Sequence, residues 1–149
     1  MQALEINTGI QIAKPPHEVF EAIADPQKMS NYFIAESTGR MEEGKTLVWR
    51  FPEFDVDVPV QVDRVEEGRY ISFYWETDGT RLLVEINLAP ADNNTTVVKI
   101  TEGKMEHSEA GIAWLKGNTE GWANFLACLK AFLEFGINLR KGGFDYRRM

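Results

Sequence analysis

The chain has 149 residues, of which 44% are hydrophobic and 26% charged, and its formal net charge at pH 7 is −7. This length and composition predict one soluble globular domain, residues 1–149. The negative charge argues against nucleic acid or an anionic membrane as partner, because both attract basic surfaces. A single cysteine excludes an internal disulfide, and neither a signal peptide nor an apolar run of ~20 residues occurs. We therefore expect a cytoplasmic protein without membrane insertion.

The first third of the sequence predicts one strand and two short helices. Apolar and polar residues alternate over residues 3–13, which is typical of a half-buried strand. Pro16 suits the first turn of a helix, and Asp25-Pro26 begins a second one, with Asp25 as its N-cap. The inner faces of these helices are expected to be Val19, Phe20 and Ile23, then Met29, Tyr32 and Phe33.

Alternating segments follow at residues 46–51, 54–63, 70–75, 82–88 and 95–101. Short turns connect them, which predicts an antiparallel meander, and Asp78-Gly79 is typical of a two-residue hairpin turn. Pro59 cannot donate to a ladder, so we expect a sheet edge or a bulge there. A twisted sheet of about seven strands will curl, and its concave face can receive a helix.

That helix is predicted from Asn118 to Gly136, because apolar residues recur there at steps of three and four. Asn118 or Thr119 would cap its start, and Gly136 would end it in the left-handed conformation. The apolar arc extends to Cys128, Ala131 and Phe135, which leaves only a strip with Lys130 and Glu134 for water. Residues 104–117 are predicted either as a packed connector or as a helical turn over a cavity mouth, formed by Ile112, Trp114 and Leu115.

The final helix carries a resemblance to a known family. Gly121-Trp122, the ladder of Leu126, Leu129 and Leu133, and the ending Phe132-Leu133-Glu134 resemble the activator-of-heat-shock-chaperone-ATPase-like proteins. The proline-started helix, the Asp25-Pro26 turn and Tyr32-Phe33 strengthen that resemblance. It implies the α+β helix-grip fold of lipid-transfer (START) domains, polyketide cyclases and the birch pollen allergen, in which a curved antiparallel sheet surrounds a long C-terminal helix. It also implies a cavity, but it does not name a ligand.

No catalytic constellation is recognisable in the sequence, and we expect no metal and no cofactor. His17 and His107 are far apart, and no His/Cys cluster has metal-ligand spacing. Cys128 is best interpreted as a buried, inert thiol rather than a nucleophile. Arg140, Lys141, Arg147 and Arg148 follow the long helix, where a solvated tail is favoured over a patch for an acidic partner.

Large apolar side chains are the remaining candidate for function, because ligand cavities are mostly apolar and aromatic. We expect a cavity that binds a small apolar or aromatic molecule without covalent chemistry. One alternative is a co-chaperone module that acts on a heat-shock chaperone ATPase in a stress response. Another is an enzyme of the polyketide-cyclase type, although the sequence assigns it no pocket acid. The candidate lining residues are Met29, Tyr32, Phe33, Trp49, Phe51, Phe54, Phe73, Trp75, Met105, Trp114, Trp122, Phe125, Leu126 and Leu129.

Overall fold

The computed structural model describes residues 2–148, with the side chain of Arg148 excepted, and contains one seven-stranded sheet. Met1 and Met149, the ends of the predicted domain, lie outside the described residues. All neighbouring strands are antiparallel, in the order β1-β7-β6-β5-β4-β3-β2. The strands are β1 (Leu4–Ile12), β2 (Glu36–Ser37), β3 (Thr46–Phe51), β4 (Phe54–Glu66), β5 (Tyr70–Thr77), β6 (Thr80–Ala91) and β7 (Thr95–Met105).

Two short helices, α1 (Pro16–Ala24) and α2 (Pro26–Met29), follow β1, and the long helix α3 (Glu109–Phe135) follows β7. The predicted α+β helix-grip fold is therefore confirmed. Asp25 caps α2 as expected, since its carboxylate accepts from Gln27 N at 2.9 Å. Asp78 and Gly79 both have positive φ, as the hairpin turn between β5 and β6 requires. Within residues 2–148 no helix is long and apolar enough to cross a membrane.

The start of the long helix was predicted wrongly. It begins at Glu109 instead of Asn118, and Ser108 is its N-cap, accepting from Gly111 N at 3.0 Å. Gly111 is required in the first turn, because a Cβ there would lie 2.0 Å from the carbonyl oxygen of Glu106. Residues 109–117 are thus neither a connector nor an isolated turn; they form the first turns of α3.

Near the C-terminal end of α3, some side chains predicted to be buried are exposed, and some predicted to be exposed make contacts. Gly136 ends the helix at φ 66°, as expected. Phe135, however, is 67% exposed. Lys130 and Glu134, assigned to water, instead bind the end of β1: Lys130 Nζ donates to Gln11 O at 2.8 Å, and Glu134 accepts from Ala13 N at 2.8 Å. These bonds join α3 to backbone groups at and just after the end of β1, a contact that a helical wheel does not show.

The sheet opens between β4 and β5, and this opening positions the site. Pairing of β4 with β3 starts at Phe54, but the pairing with β5 recorded among residues 2–148 starts only at Gln61, opposite Tyr74. Residues 54–60 of β4 are consequently an edge on this side, in agreement with the expectation for Pro59. The sheet therefore has a gap between residues 54–60 of β4 and the end of β5, next to the first half of α3.

Candidate functional site

A cavity of about 300 Å³ lies between β3, β4 and β5, the first half of α3, and the segment that follows α3. Its walls are mainly aromatic and aliphatic, with a few amides and charged groups at the margin. The lining residues are Phe33, Phe51, Phe54, Val56, Val58, Trp75, Glu76, Thr77, Asn118, Gly121, Trp122, Asn124, Arg140, Phe144 and Arg147.

Five of the fourteen predicted lining residues border this cavity: Phe33, Phe51, Phe54, Trp75 and Trp122. Four of these rings are linked by contacts, with centroids 5.1 Å apart for Phe33 and Phe51, 5.9 Å for Phe33 and Trp122, and 5.6 Å for Trp75 and Trp122. A second layer lies behind them and holds them by edge-to-face contacts, as Trp49 and Phe125 do with Phe33. The other predicted residues lie in the buried core: Met29, Tyr32, Trp49, Phe73, Met105, Trp114, Phe125, Leu126 and Leu129.

A buried carboxylate fixes the indole wall of the cavity. Glu102 of β7 has no exposed surface, and its two oxygens accept three N–H bonds. The donors are Trp75 Nε1 at 2.7 Å, Trp122 Nε1 at 2.8 Å and Asn118 Nδ2 at 3.2 Å. All three donors line the cavity, whereas Glu102 itself lies behind them. One carboxylate therefore joins the centre of the sheet to α3 and sets the orientation of both indoles.

An ion pair holds the opposite wall. Glu53, in the turn between β3 and β4, is 5% exposed, and Arg140, after α3, is 7% exposed. Arg140 donates from Nε to Glu53 Oε2 at 3.1 Å and from Nη2 to Glu53 Oε1 at 2.7 Å. Its Cζ lies 5.0 to 5.8 Å from the ring centroids of Phe33, Phe51 and Phe144. The favoured interpretation of this residue as part of a solvated tail was wrong.

The segment after α3 covers one side of the cavity through Phe144 and Arg147. Arg147 lies over the Phe144 ring at 4.6 Å and reaches Glu120 of α3 at 3.4 Å. These contacts, together with the Glu53–Arg140 pair, attach the segment to both the helix and the sheet. Lys141 is exposed as expected, and the side chain of Arg148 lies outside the described residues.

Similarity to known proteins agrees with this architecture. The family model described as "Activator of Hsp90 ATPase homolog 1-like protein" matches residues 13–134, most of the chain. The chain belongs to this family. No curated protein matches it significantly.

Among solved structures, this chain is similar to protein SSP2350 from Staphylococcus saprophyticus. The identity is 33% over 90% of this chain and 94% of the other, with a TM-score of 0.79. It also shares its fold with DynU16, a putative protein of the dynemicin biosynthetic locus (21% identity, 90% of this chain, 48% of the other, TM-score 0.80). A third similar structure is PFC0360w, an HSP90 activator from Plasmodium falciparum (15% identity, 87% of this chain, 96% of the other, TM-score 0.70).

The thiol of Cys128, the hydroxyl of Tyr32 and the two histidine side chains do not border the cavity. Burial raises the pKa of the Cys128 thiol, and the thiol is 2% exposed, which opposes formation of a thiolate. Burial also raises the pKa of Tyr32, whose hydroxyl donates to Ala22 O at 2.9 Å. His17 and His107 are exposed. Residues 2–148 contain no group of three or more His, Cys, Asp or Glu side chains placed to hold a metal ion.

The sequence analysis did not predict the polar residues of the site. Two of them, Glu102 and Asn118, could have been predicted from the sequence pattern. Val98, Ile100 and Glu102 continue one inward-facing alternation along β7, so extending the predicted strand beyond Thr101 would have placed Glu102 in the core. Asn118 and Trp122 are four residues apart on one helix face, which also could have been read. Nothing local in the sequence links Glu53 with Arg140.

Proposed function

We propose that this protein, acting as a single helix-grip domain, reversibly binds a small, largely apolar or aromatic molecule in the cavity between its sheet and α3. The observation that carries the proposal is the aromatic cavity of about 300 Å³, bordered by only a few polar groups. That volume is at the lower end of the range typical of small-molecule sites. Contacts to a second aromatic layer hold the walls, so a ligand would cause little additional ordering on binding.

The arrangement of the reactive groups favours binding without covalent chemistry over the cyclase-type alternative. Glu102 is the acid nearest the indole wall, but it is fully buried behind that wall and occupied by three N–H donors. Cys128 is buried as well. A cyclase-type enzyme would need an acid or a base held within reach of the ligand, and the carboxylate that does border the cavity, Glu76, is solvent-exposed. If a bound polyketide mimic is released chemically altered, this part of the proposal is wrong.

The decisive test uses two glycines of the same helix. Gly121 borders the cavity, Gly117 does not, and a Cβ at either position would meet no atom within 4 Å. Gly121→Leu should fill the cavity and abolish ligand-induced stabilisation, while Gly117→Leu should leave it intact. Both changes should preserve or raise the free energy of unfolding, because leucine is the better helix former by up to about 1 kcal/mol. Equal ligand responses of the two variants would contradict the proposed site.

Ligands can be found with two independent readouts. A ligand specific for the folded state at a hundredfold excess over its Kd adds about 2.7 kcal/mol of stability. Tm should then rise by several degrees. Trp75 and Trp122 border the cavity, so their emission should change as well. Fatty acids, sterols, flavonoid-like aromatics and polyketide mimics form the screen. If no compound alters either signal, the proposal fails.

A second candidate function is action on a heat-shock chaperone ATPase. It is favoured by membership of the activator-like family and by the relative from Plasmodium falciparum that is described as an HSP90 activator. Exposed apolar side chains of β4 offer a contact surface, since Phe54 is 43% and Val56 is 56% exposed. The test is stimulation of a purified chaperone ATPase by wild type and by Phe54→Ser/Val56→Ser. Stimulation that the double substitution removes would support this function.

A further inference from the structure

We propose that the ligand of this cavity carries an acidic group, such as the carboxylate of an aromatic acid, and that Arg140 recognises it. The inference rests on the proposed function, because it specifies the chemistry of the molecule bound there. It starts from the way in which Arg140 uses its hydrogen-bond donors.

A guanidinium can engage acceptors along two different edges. Arg140 uses the edge formed by Nε and Nη2 for Glu53. Among residues 2–148 no acceptor is recorded for Nη1, so the second edge, formed by Nη1 and Nη2, is not fully occupied. Nη1 is not among the buried side-chain atoms without a partner in residues 2–148, so it reaches open space instead of being enclosed in the core. A side chain that is only 7% exposed and still has a donor to offer is therefore a candidate ligand contact.

Arg140 reaches the cavity, and its partner carboxylate does not. Arg140 borders both the cavity and a neighbouring depression, whereas Glu53 borders the depression alone. Glu53 therefore binds the guanidinium from the side of the depression, and a ligand in the cavity would approach it from the other side. Phe33, Phe51 and Phe144 surround the guanidinium, and all three border the cavity. These rings fix the guanidinium plane and limit the access of water to it.

An anion fits this place better than a neutral acceptor. Hydrogen bonds between charged groups are about twice as strong as neutral ones, and a planar fork matches a carboxylate. Arg147, which also reaches Glu120 at 3.4 Å, adds a second cation to the lining. Glu76 is the carboxylate that opposes these two cations in the lining, and it is exposed. The rings of the wall would contact the aromatic body while its acidic group reaches Arg140.

The first experiment varies the ligand and leaves the protein unchanged. Isothermal titration calorimetry would compare 2-naphthoate with 2-naphthamide and methyl 2-naphthoate, which share one aromatic body. The acid should bind roughly tenfold or more tightly than either neutral analogue, as expected for a charged hydrogen bond in a desolvated site. Equal affinities for all three would overturn the inference and leave the proposed function intact. Binding of none would contradict the proposed function itself for bicyclic aromatics.

The second experiment changes the anion that competes for Arg140. Glu53→Gln keeps an oxygen that can accept from Arg140 but removes the negative charge. The affinity for 2-naphthoate should rise several-fold, because the cation is no longer neutralised, while that for 2-naphthamide should stay unchanged. Glu21→Gln is the matched control, since it alters the Arg40–Glu21 pair, which does not border the cavity. An unchanged affinity for naphthoate in Glu53→Gln, or an equal rise in Glu21→Gln, would overturn the role of Arg140.

Discussion

Two buried carboxylates stand on opposite sides of the cavity, and they are stabilised in different ways. Glu102 is held by three neutral N–H donors and fixes a wall made of a strand and a helix. Glu53 is held by one cation and fixes a wall made of a turn and the segment after α3. Both groups are at least 95% buried. Both arrangements supply the hydrogen bonds that a buried carboxylate needs in place of its lost hydration.

The difference between them is in what each arrangement leaves available. At Glu102 the donors are two indoles, whose single N–H groups are both used, and one amide, which keeps a second N–H and its oxygen, so this wall presents mainly aromatic faces to a ligand. At Glu53 the donor is a guanidinium with more donors than one carboxylate can accept, which leaves hydrogen-bonding capacity next to the cavity. The Glu102 wall is therefore suited to shape and the Arg140 wall to polar recognition.

The largest predicted effect comes from breaking the ion pair. Arg140→Ala should lower the free energy of unfolding by about 3–5 kcal/mol, because Glu53 would remain buried without a partner. The matched double variant, Arg140→Met with Glu53→Leu, should recover most of that loss, since it removes both charges together. Urea melts at pH 7 would measure both changes. A double variant as unstable as Arg140→Ala would mean that packing of the segment, and not charge, is what matters.

Breaking the neutral network should have a smaller effect. Glu102→Gln keeps one acceptor oxygen but places an amide N–H₂ against an N–H donor, so the expected loss is about 1–3 kcal/mol. Emission from Trp75 and Trp122 should also change, which a general loss of stability in the folded state would not cause. Glu85→Gln is the control, because Glu85 accepts one hydrogen bond within residues 2–148, from the Tyr70 hydroxyl at 2.6 Å, and an amide oxygen can replace it. That variant should stay within about 0.5 kcal/mol of wild type.

The two carboxylates also differ in whether the sequence could have predicted their place in the site. Alternation and proline placement predicted the sheet, the two short helices and five of the residues that border the cavity, because these features depend on local periodicity. Glu102 follows the same periodicity and was missed only because the predicted strand ended at Thr101. Arg140 and Glu53 are 87 residues apart in irregular segments, and no period brings them together. The need for glycine at position 111 is likewise not visible in the sequence, because it comes from a close approach to the Glu106 carbonyl that only the fold creates.

A third carboxylate, nearer to solvent, sharpens the contrast through its pH dependence. The pKa of Glu134 is lowered, first by the hydrogen bond from Ala13 N and then by the bond from Lys130. A lowered folded-state pKa gives stability that is present above the unfolded value, about 4.3, and is lost as pH falls through the folded value. Wild type should therefore exceed Glu134→Gln in stability at pH 7, and the gap should narrow progressively below about pH 4. Chemical melts of both proteins between pH 3 and pH 7 would measure this gap, and a gap that stays constant would mean that the bond to β1 contributes through geometry alone.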